Sequence, residues 1–238
     1  MVPCYTWDSY WWLYVREDIR HPGVANSVSL VQPPVSVVSM STKYIISPAE
    51  GEYMAAHSIQ STFPEITAIE DDRLKSNVVD AWATSMREHG IEDLTDVPWL
   101  PPTQRALSVP DESLVDHTRD VTSCAVALAE TLSERRDGTV SPDMDTVIAG
   151  SLVHDVSKLA EFDGMEGTDI YDLLGHPYYG VHIAARANLG PEYAHIILSH
   201  TDRTQVEPAT IEAALVKHAD EIAASAIRWQ VTADLRTV

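Results

Sequence analysis

From Asp71 onward the apolar positions recur at steps of three and four. Leu74, Val78, Ala81, Trp82 and Met86 follow that rhythm and predict an amphipathic helix that stops at Gly90. A proline-rich connector, "DVPWLPPTQ", separates it from a second helix running from about Ser113 to Arg136 and closed by Gly138. The expected buried stripe there is Val121, Ala125, Leu128 and Leu132, and His117 lies four residues before Val121 on the same face. Ser141-Pro142 reads as a cap with a first-turn proline, opening a helix that reaches about Lys158. After a glycine-bearing loop, "FDGMEGTD", a helix is expected from near Pro177 to Gly190, with Gly190 as its left-handed terminator. Pro191 opens a short helix and Pro208 the last long one. Strand signals are few after residue 70 and there are no internal repeats, so the pattern predicts an all-α bundle with an irregular N-terminal extension.

Residues 1–39 do not share this rhythm. Trp7, Trp11 and Trp12 crowd the start, and "SVSLVQPPVSVVS" follows with no helical period, so the stretch reads as peripheral. Met40 opens a more ordinary segment, and the expectation is that translation starts there and residues 1–39 are a start-site artefact. The expected division is then a peripheral segment over 1–39, a helical extension over 40–112 and a functional domain over 113–238.

Composition narrows the class. The 238 residues are 45% hydrophobic, enough for one sizeable core. A formal charge of -20, from 36 acidic against 16 basic residues, repels polyanions, and no basic patch offsets it, so nucleic acid is disfavoured as a partner. Cys4 and Cys124 lie too far apart in sequence to read as a metal pair or a disulfide framework. No run of about 18 apolar residues and no signal-peptide pattern is present, which leads to the expectation of a cytoplasmic protein with no membrane partner. Oligomeric state is left open.

The chemistry sits where polar groups interrupt apolar faces. On the last helix Asp220 shares a stripe with Ala213, Val216, Ala223 and Ile227, and an ionised carboxylate there is costly without a partner. His154 and Asp155 lie among Leu152, Val153, Val156 and Leu159. Three helices thus direct His117, His154, Asp155 and Asp220 inward, and a divalent cation satisfies all four together. Imidazole and carboxylate donors suit Fe, Mn, Zn or Ni, whereas Ca or Mg prefers all-oxygen cages. The plainer alternatives are a structural His-Asp hydrogen bond and a surface aspartate.

The segments "LVDHTRDVTSCA", "SLVHDVSK" and "HADEIAA" together resemble the HD-domain superfamily of metal-dependent phosphohydrolases over about residues 113–228. The resemblance implies a helical HD domain in which His117, His154, Asp155 and Asp220 hold a metal. "GHPYYG" and "ILSH" resemble the later segments of HD proteins with two metals, which implies that His176 and His200 join Asp155 around a second ion. His195 is the local competitor of His200, while His182 and His218 fall on other faces; His21, His57 and His89 lie outside the match and read as surface residues. Lys158, four residues after His154, can offer an ammonium to a substrate phosphate, and Arg119 and Arg203 are weaker candidates for that contact. The chain lacks the Gly-Tyr-Pro signature of the cyclic-dinucleotide branch and has "SHTDRTQ" in place of its paired histidines, which counts against that substrate.

The expected function is hydrolysis of a phosphate ester, of a nucleotide or another small phosphorylated substrate, by a water that one or two divalent transition ions activate. Asp155 and Lys158 are the expected catalytic residues. Three alternatives stand beside it: a di-iron oxygenase of the HD type, an HD-type 3'-5' exoribonuclease, which "LLGHPYYG" and "SHTD" resemble, and a nucleotide-sensing domain without catalysis.

Overall fold

The computed structural model describes residues 48–109 and 111–237; the expectations for residues 1–39 lie outside the described part. Within it the regular secondary structure is helical apart from one short hairpin. The main elements are α1 (Pro48–Thr62), α2 (Asp72–His89), α3 (Pro101–Leu107), α4 (Leu114–Arg135), α5 (Met144–Val153), α6 (Lys158–Glu161), α7 (Asp169–Leu173), α8 (His176–Arg186), α9 (Pro191–Ser199) and α10 (Ile211–Trp229). A small antiparallel hairpin, β1 (Phe162–Asp163) with β2 (Glu166–Gly167), occupies the expected glycine loop.

α5 is the axis of the bundle. Every residue from Val147 to Val153 is buried, and α2, α4, α9 and α10 pack around it. A helix apolar on all sides has to lie inside, and the short "VIAGSLV" run meets that demand. Gly150 lets α9 close in: a Cβ there would stand 2.6 Å from Ile196 Cδ1. The helices before Ser113 are not packed separately, because Ile59, Phe63, Ile66 and Trp82 share a core cluster with Leu152, Val153 and Ile197.

Asp145, in the first turn of α5, pins the connection into α2. Its two carboxylate oxygens accept from Glu70 N at 2.7 Å and Asp71 N at 2.8 Å, while Asp71 caps α2 by accepting from Leu74 N at 2.8 Å. Charge-assisted bonds of this kind are the stronger ones. Asp145→Ala is expected to lower unfolding free energy by about 1–3 kcal/mol, read from the urea midpoint at unchanged m-value.

Several expected boundaries move. α5 is capped by Asp143, whose side chain accepts from Thr146 N at 3.0 Å, so Pro142 precedes the helix rather than opening it. That helix also ends early, at Val153. Bonds from Val156 N to Val153 O (3.2 Å) and from Lys158 N to Asp155 O (2.9 Å) show three-residue tightening through residues 154–157. On α4 the core face runs through Ala129 rather than Leu128, which is 40% exposed, because the stripe advances by four from Ala125. α8 ends at Arg186, with Asn188 as the left-handed residue at φ 55°, and Gly190 instead caps α9. Asparagine tolerates that conformation better than most residues. The last helix starts at Ile211 behind the Thr210 cap, after Pro208. Among the described residues no helix is long and apolar enough to cross a membrane.

Candidate metal centre

The ends of helices build the site. His154 and His200 are the C-cap residues of α5 and α9, and His176 is the first residue of α8. His117 comes from the first turn of α4 and Asp220 from the middle of α10. These elements bring together His117, His154, Asp155 and Asp220 in one group and Asp155, His176 and His200 in another, the potential ligand atoms of each lying within 4.8 Å of one another.

Asp155 belongs to both groups, and its oxygens divide between them. Oδ2 lies 3.4 Å from His117 Nε2 and 3.2 Å from His154 Nε2. Oδ1 lies 3.6 Å from both His176 Nε2 and His200 Nε2. Asp220 Oδ1 completes the first group at 3.0 Å from His117 Nε2 and 3.8 Å from His154 Nε2.

The imidazole tautomers follow from what the other ring nitrogens touch. His154 Nδ1 is 2.6 Å from Ser151 O and His200 Nδ1 is 2.8 Å from Ile197 O. A carbonyl can only accept, so each Nδ1 carries the proton and each Nε2 offers a lone pair inward. The last turn of a helix has carbonyls to spare, which is why a histidine at its end can be fixed this way.

The residues fit a pair of cations. His117 Nε2, His154 Nε2 and both oxygens of Asp155 are buried without a hydrogen bond of good geometry. His176 Nε2 and His200 Nε2 face each other at 3.3 Å, a spacing that is satisfied either by a proton on His176 Nε2 or by a cation shared between two lone pairs. Donors bound about 2.1 Å from one ion stand about 3–4 Å apart, and the spacings here fall in that range.

Electrostatics point the same way. Burial alone would raise the Asp155 carboxyl, but the Lys158 ammonium and the neighbouring histidines outweigh it and hold the group well below the usual carboxylate range. Burial would also raise Asp220, and His117 above all overcomes it, keeping this carboxyl ionised. Burial lowers His176, against the pull of Glu161 and Asp155, which favours the neutral imidazole that a metal needs. His117 moves upward: burial lowers it, yet its contacts with Asp155 and Asp220 prevail.

Lys158 sits three residues from Asp155 with Nζ 2.6 Å from Oδ2, and is itself almost wholly buried. Asp220 is the most open of the six candidate ligands, with 20% of its side chain exposed. Arg119 lies elsewhere, paired with Glu65 at 2.9 Å, whereas Arg203 reaches Glu161 at 3.0 Å beside the second group. His195 Nε2 accepts from Ala209 N at 2.9 Å and His218 pairs with Glu221 at 2.9 Å, so neither joins the cluster. His57 and His182 are exposed; His89 is half-buried beside Tyr179 and not the open surface residue expected. His21 lies outside the described residues.

Two neighbours were not among the expected site residues. Trp99, from the proline-rich connector, packs its ring 5.3 Å from His117 and lies under both Lys158 and Arg228. Glu161 is fully buried beside His176. A carboxylate in "KLAEF", otherwise an apolar run after Lys158, was a signal that could have been read.

A helical bundle that gathers histidines and aspartates from separate helices around a shared carboxylate defines a class of proteins able to hold metal at its core. Residues 114–225 match the family model described as the HD domain. Among curated proteins, the chain is 35% identical over 113 residues to the dihydroneopterin 2',3'-cyclic phosphate phosphodiesterase of Methanocaldococcus jannaschii. The match covers 45% of this chain and 45% of that relative, so it spans less than half of either. No solved structure matches the chain.

Proposed function

We propose that the chain is a metal-dependent phosphohydrolase that cleaves a small phosphate ester at a two-ion centre. The observation that supports this most is the division of Asp155, with Oδ2 turned to His117 and His154 and Oδ1 turned to His176 and His200. One carboxylate serving two donor sets suits a site in which two ions lie close enough to act on one phosphoryl group. His117, His154, Asp155 and Asp220 hold the first ion, and Asp155, His176 and His200 the second. Fe, Mn, Zn and Ni all suit these donors.

When bound, such ions bring the pKa of water toward neutrality and draw charge from phosphoryl oxygens. The protein's part is to fix the donors, to exclude bulk water from them through nearly complete burial, and to leave Asp220 on the open side where substrate can enter. The Lys158 ammonium, 2.6 Å from Asp155 Oδ2, keeps that carboxylate ionised and lies where it can pair with a phosphoryl oxygen. A water oxygen bonds to phosphorus, the ester P–O bond breaks, and the leaving oxygen takes up a proton.

The curated relative is named for a 2',3'-cyclic phosphate, so a small cyclic phosphodiester is the substrate class to test first. The net charge of -20 favours a small ester over polymeric RNA. The test is a screen of cyclic phosphodiesters, nucleotides and phosphomonoesters with protein loaded separately with each metal. Phosphate-ester cleavage is expected. Oxygen consumption by iron-loaded protein without ester cleavage would reject the hydrolase in favour of an oxygenase, and tight nucleotide binding without turnover would reject catalysis. Lys158→Met is expected to lower turnover about 10²–10³-fold while metal content is retained, measured by steady-state kinetics beside elemental analysis.

A further inference from the structure

Resting on the two-ion reading, we infer that Glu161 is the positioning residue of the second ion: it fixes the His176 tautomer so that Nε2 faces the site. Glu161 is completely buried, which for a carboxylate demands an explanation. Its Oε1 accepts from His176 N at 2.5 Å and from Arg203 at 3.0 Å, while Oε2 stands 3.2 Å from His176 Nδ1. One carboxylate therefore holds the residue by both backbone and ring.

The backbone contact is a helix cap. Gly175 precedes α8 and has no side chain to satisfy the first amide, so Glu161 reaches across from α6 to do it and places an anion at the helix N-terminus. Ser157 donates to the carbonyl of the same residue at 2.7 Å, and Gly180 lets α8 approach, since a Cβ there would stand 3.1 Å from Ser157 Oγ. His176 is thus held on several sides.

The ring contact carries the chemical consequence. His154 and His200 have backbone carbonyls to fix their tautomers. His176 has no such carbonyl; its Nδ1 instead stands 3.2 Å from Glu161 Oε2, both atoms buried without another hydrogen-bond partner, and a proton held on Nδ1 toward that carboxylate would make the opposite nitrogen a stronger donor to metal. Arg203, stacked 5.0 Å from the centre of the Tyr171 ring, offsets the charge of Glu161 without taking the oxygen that faces Nδ1.

Glu161→Gln separates the two roles. The amide oxygen can still accept from His176 N, preserving the cap, but its NH₂ is a donor and cannot accept from Nδ1. In metal-free wild type, imidazole ¹H–¹⁵N correlation spectra are expected to show His176 as the Nδ1–H tautomer, and in the variant to show Nε2–H. Affinity for the second ion, titrated with Mn or Zn alone, is expected to fall about 10–100-fold, with the first ion and the far-ultraviolet circular dichroism unchanged. An Nε2–H tautomer in wild type overturns the inference, whether or not the variant folds. So does a wild-type chain that binds two ions beside a variant with the same second-ion affinity. A wild-type chain that takes up only one ion sinks the two-ion reading, and this inference with it.

Discussion

Asp155→Asn is expected to empty both ion positions and to reduce turnover at least about 10³-fold, equivalent to about 4 kcal/mol of barrier. Asn keeps the size of the side chain but removes the negative charge shared by both donor sets and replaces one of the two oxygens by an NH₂ donor, and among the described residues no other belongs to both groups. The loss differs in kind from that of an outer ligand such as His200, which serves one set only. The substitution also leaves the Lys158 ammonium buried beside a neutral amide, where a broken buried ion pair costs about 3–5 kcal/mol of folding stability. Elemental analysis and kinetics should therefore be read beside circular dichroism at a temperature where the variant is folded. A folded variant that retained two ions and full turnover would contradict the assignment of Asp155.

Trp82→Ala is expected to be the most damaging single change to the fold itself, at about 3–5 kcal/mol. The indole is wholly buried, packs against Phe63 with ring centroids 4.7 Å apart, and donates from Nε1 to Leu152 O at 3.0 Å. That carbonyl lies in the last turn of α5, two residues before His154, so the indole satisfies a group freed where the helix tightens. Trp82→Phe keeps most of the apolar volume while removing the hydrogen bond, and its expected cost is smaller, about 1–3 kcal/mol. Denaturant unfolding followed at 222 nm measures both. Equal costs for the two variants would mean that the hydrogen bond, and not burial, supplies most of the stabilisation.

The helices of the bundle were legible where one face alternates cleanly with solvent, as on α2 and α10. Residues 154–157 were not, because an all-apolar run gives no phase by which to detect a change from four-residue to three-residue bonding. The grouping of His117, His154, Asp155, His176, His200 and Asp220 could be anticipated from ordered segments, and the coordinates place them together. His195 is excluded for a tertiary reason, the backbone amide of Ala209 that occupies its ring nitrogen. Glu161 and Trp99 escaped notice because their importance lies in what they touch: one is brought against α8 by the turn through β1 and β2, the other against α4 by the connector. No local period encodes either contact.

Anomalous diffraction from crystals of the metal-loaded protein would locate the ions. A two-ion centre gives two peaks, one bordered by His117, His154, Asp155 and Asp220 and the other by His176 and His200, with the Asp155 carboxylate between them. A single peak away from Asp155, or fully loaded protein with no peak among these side chains, would contradict it.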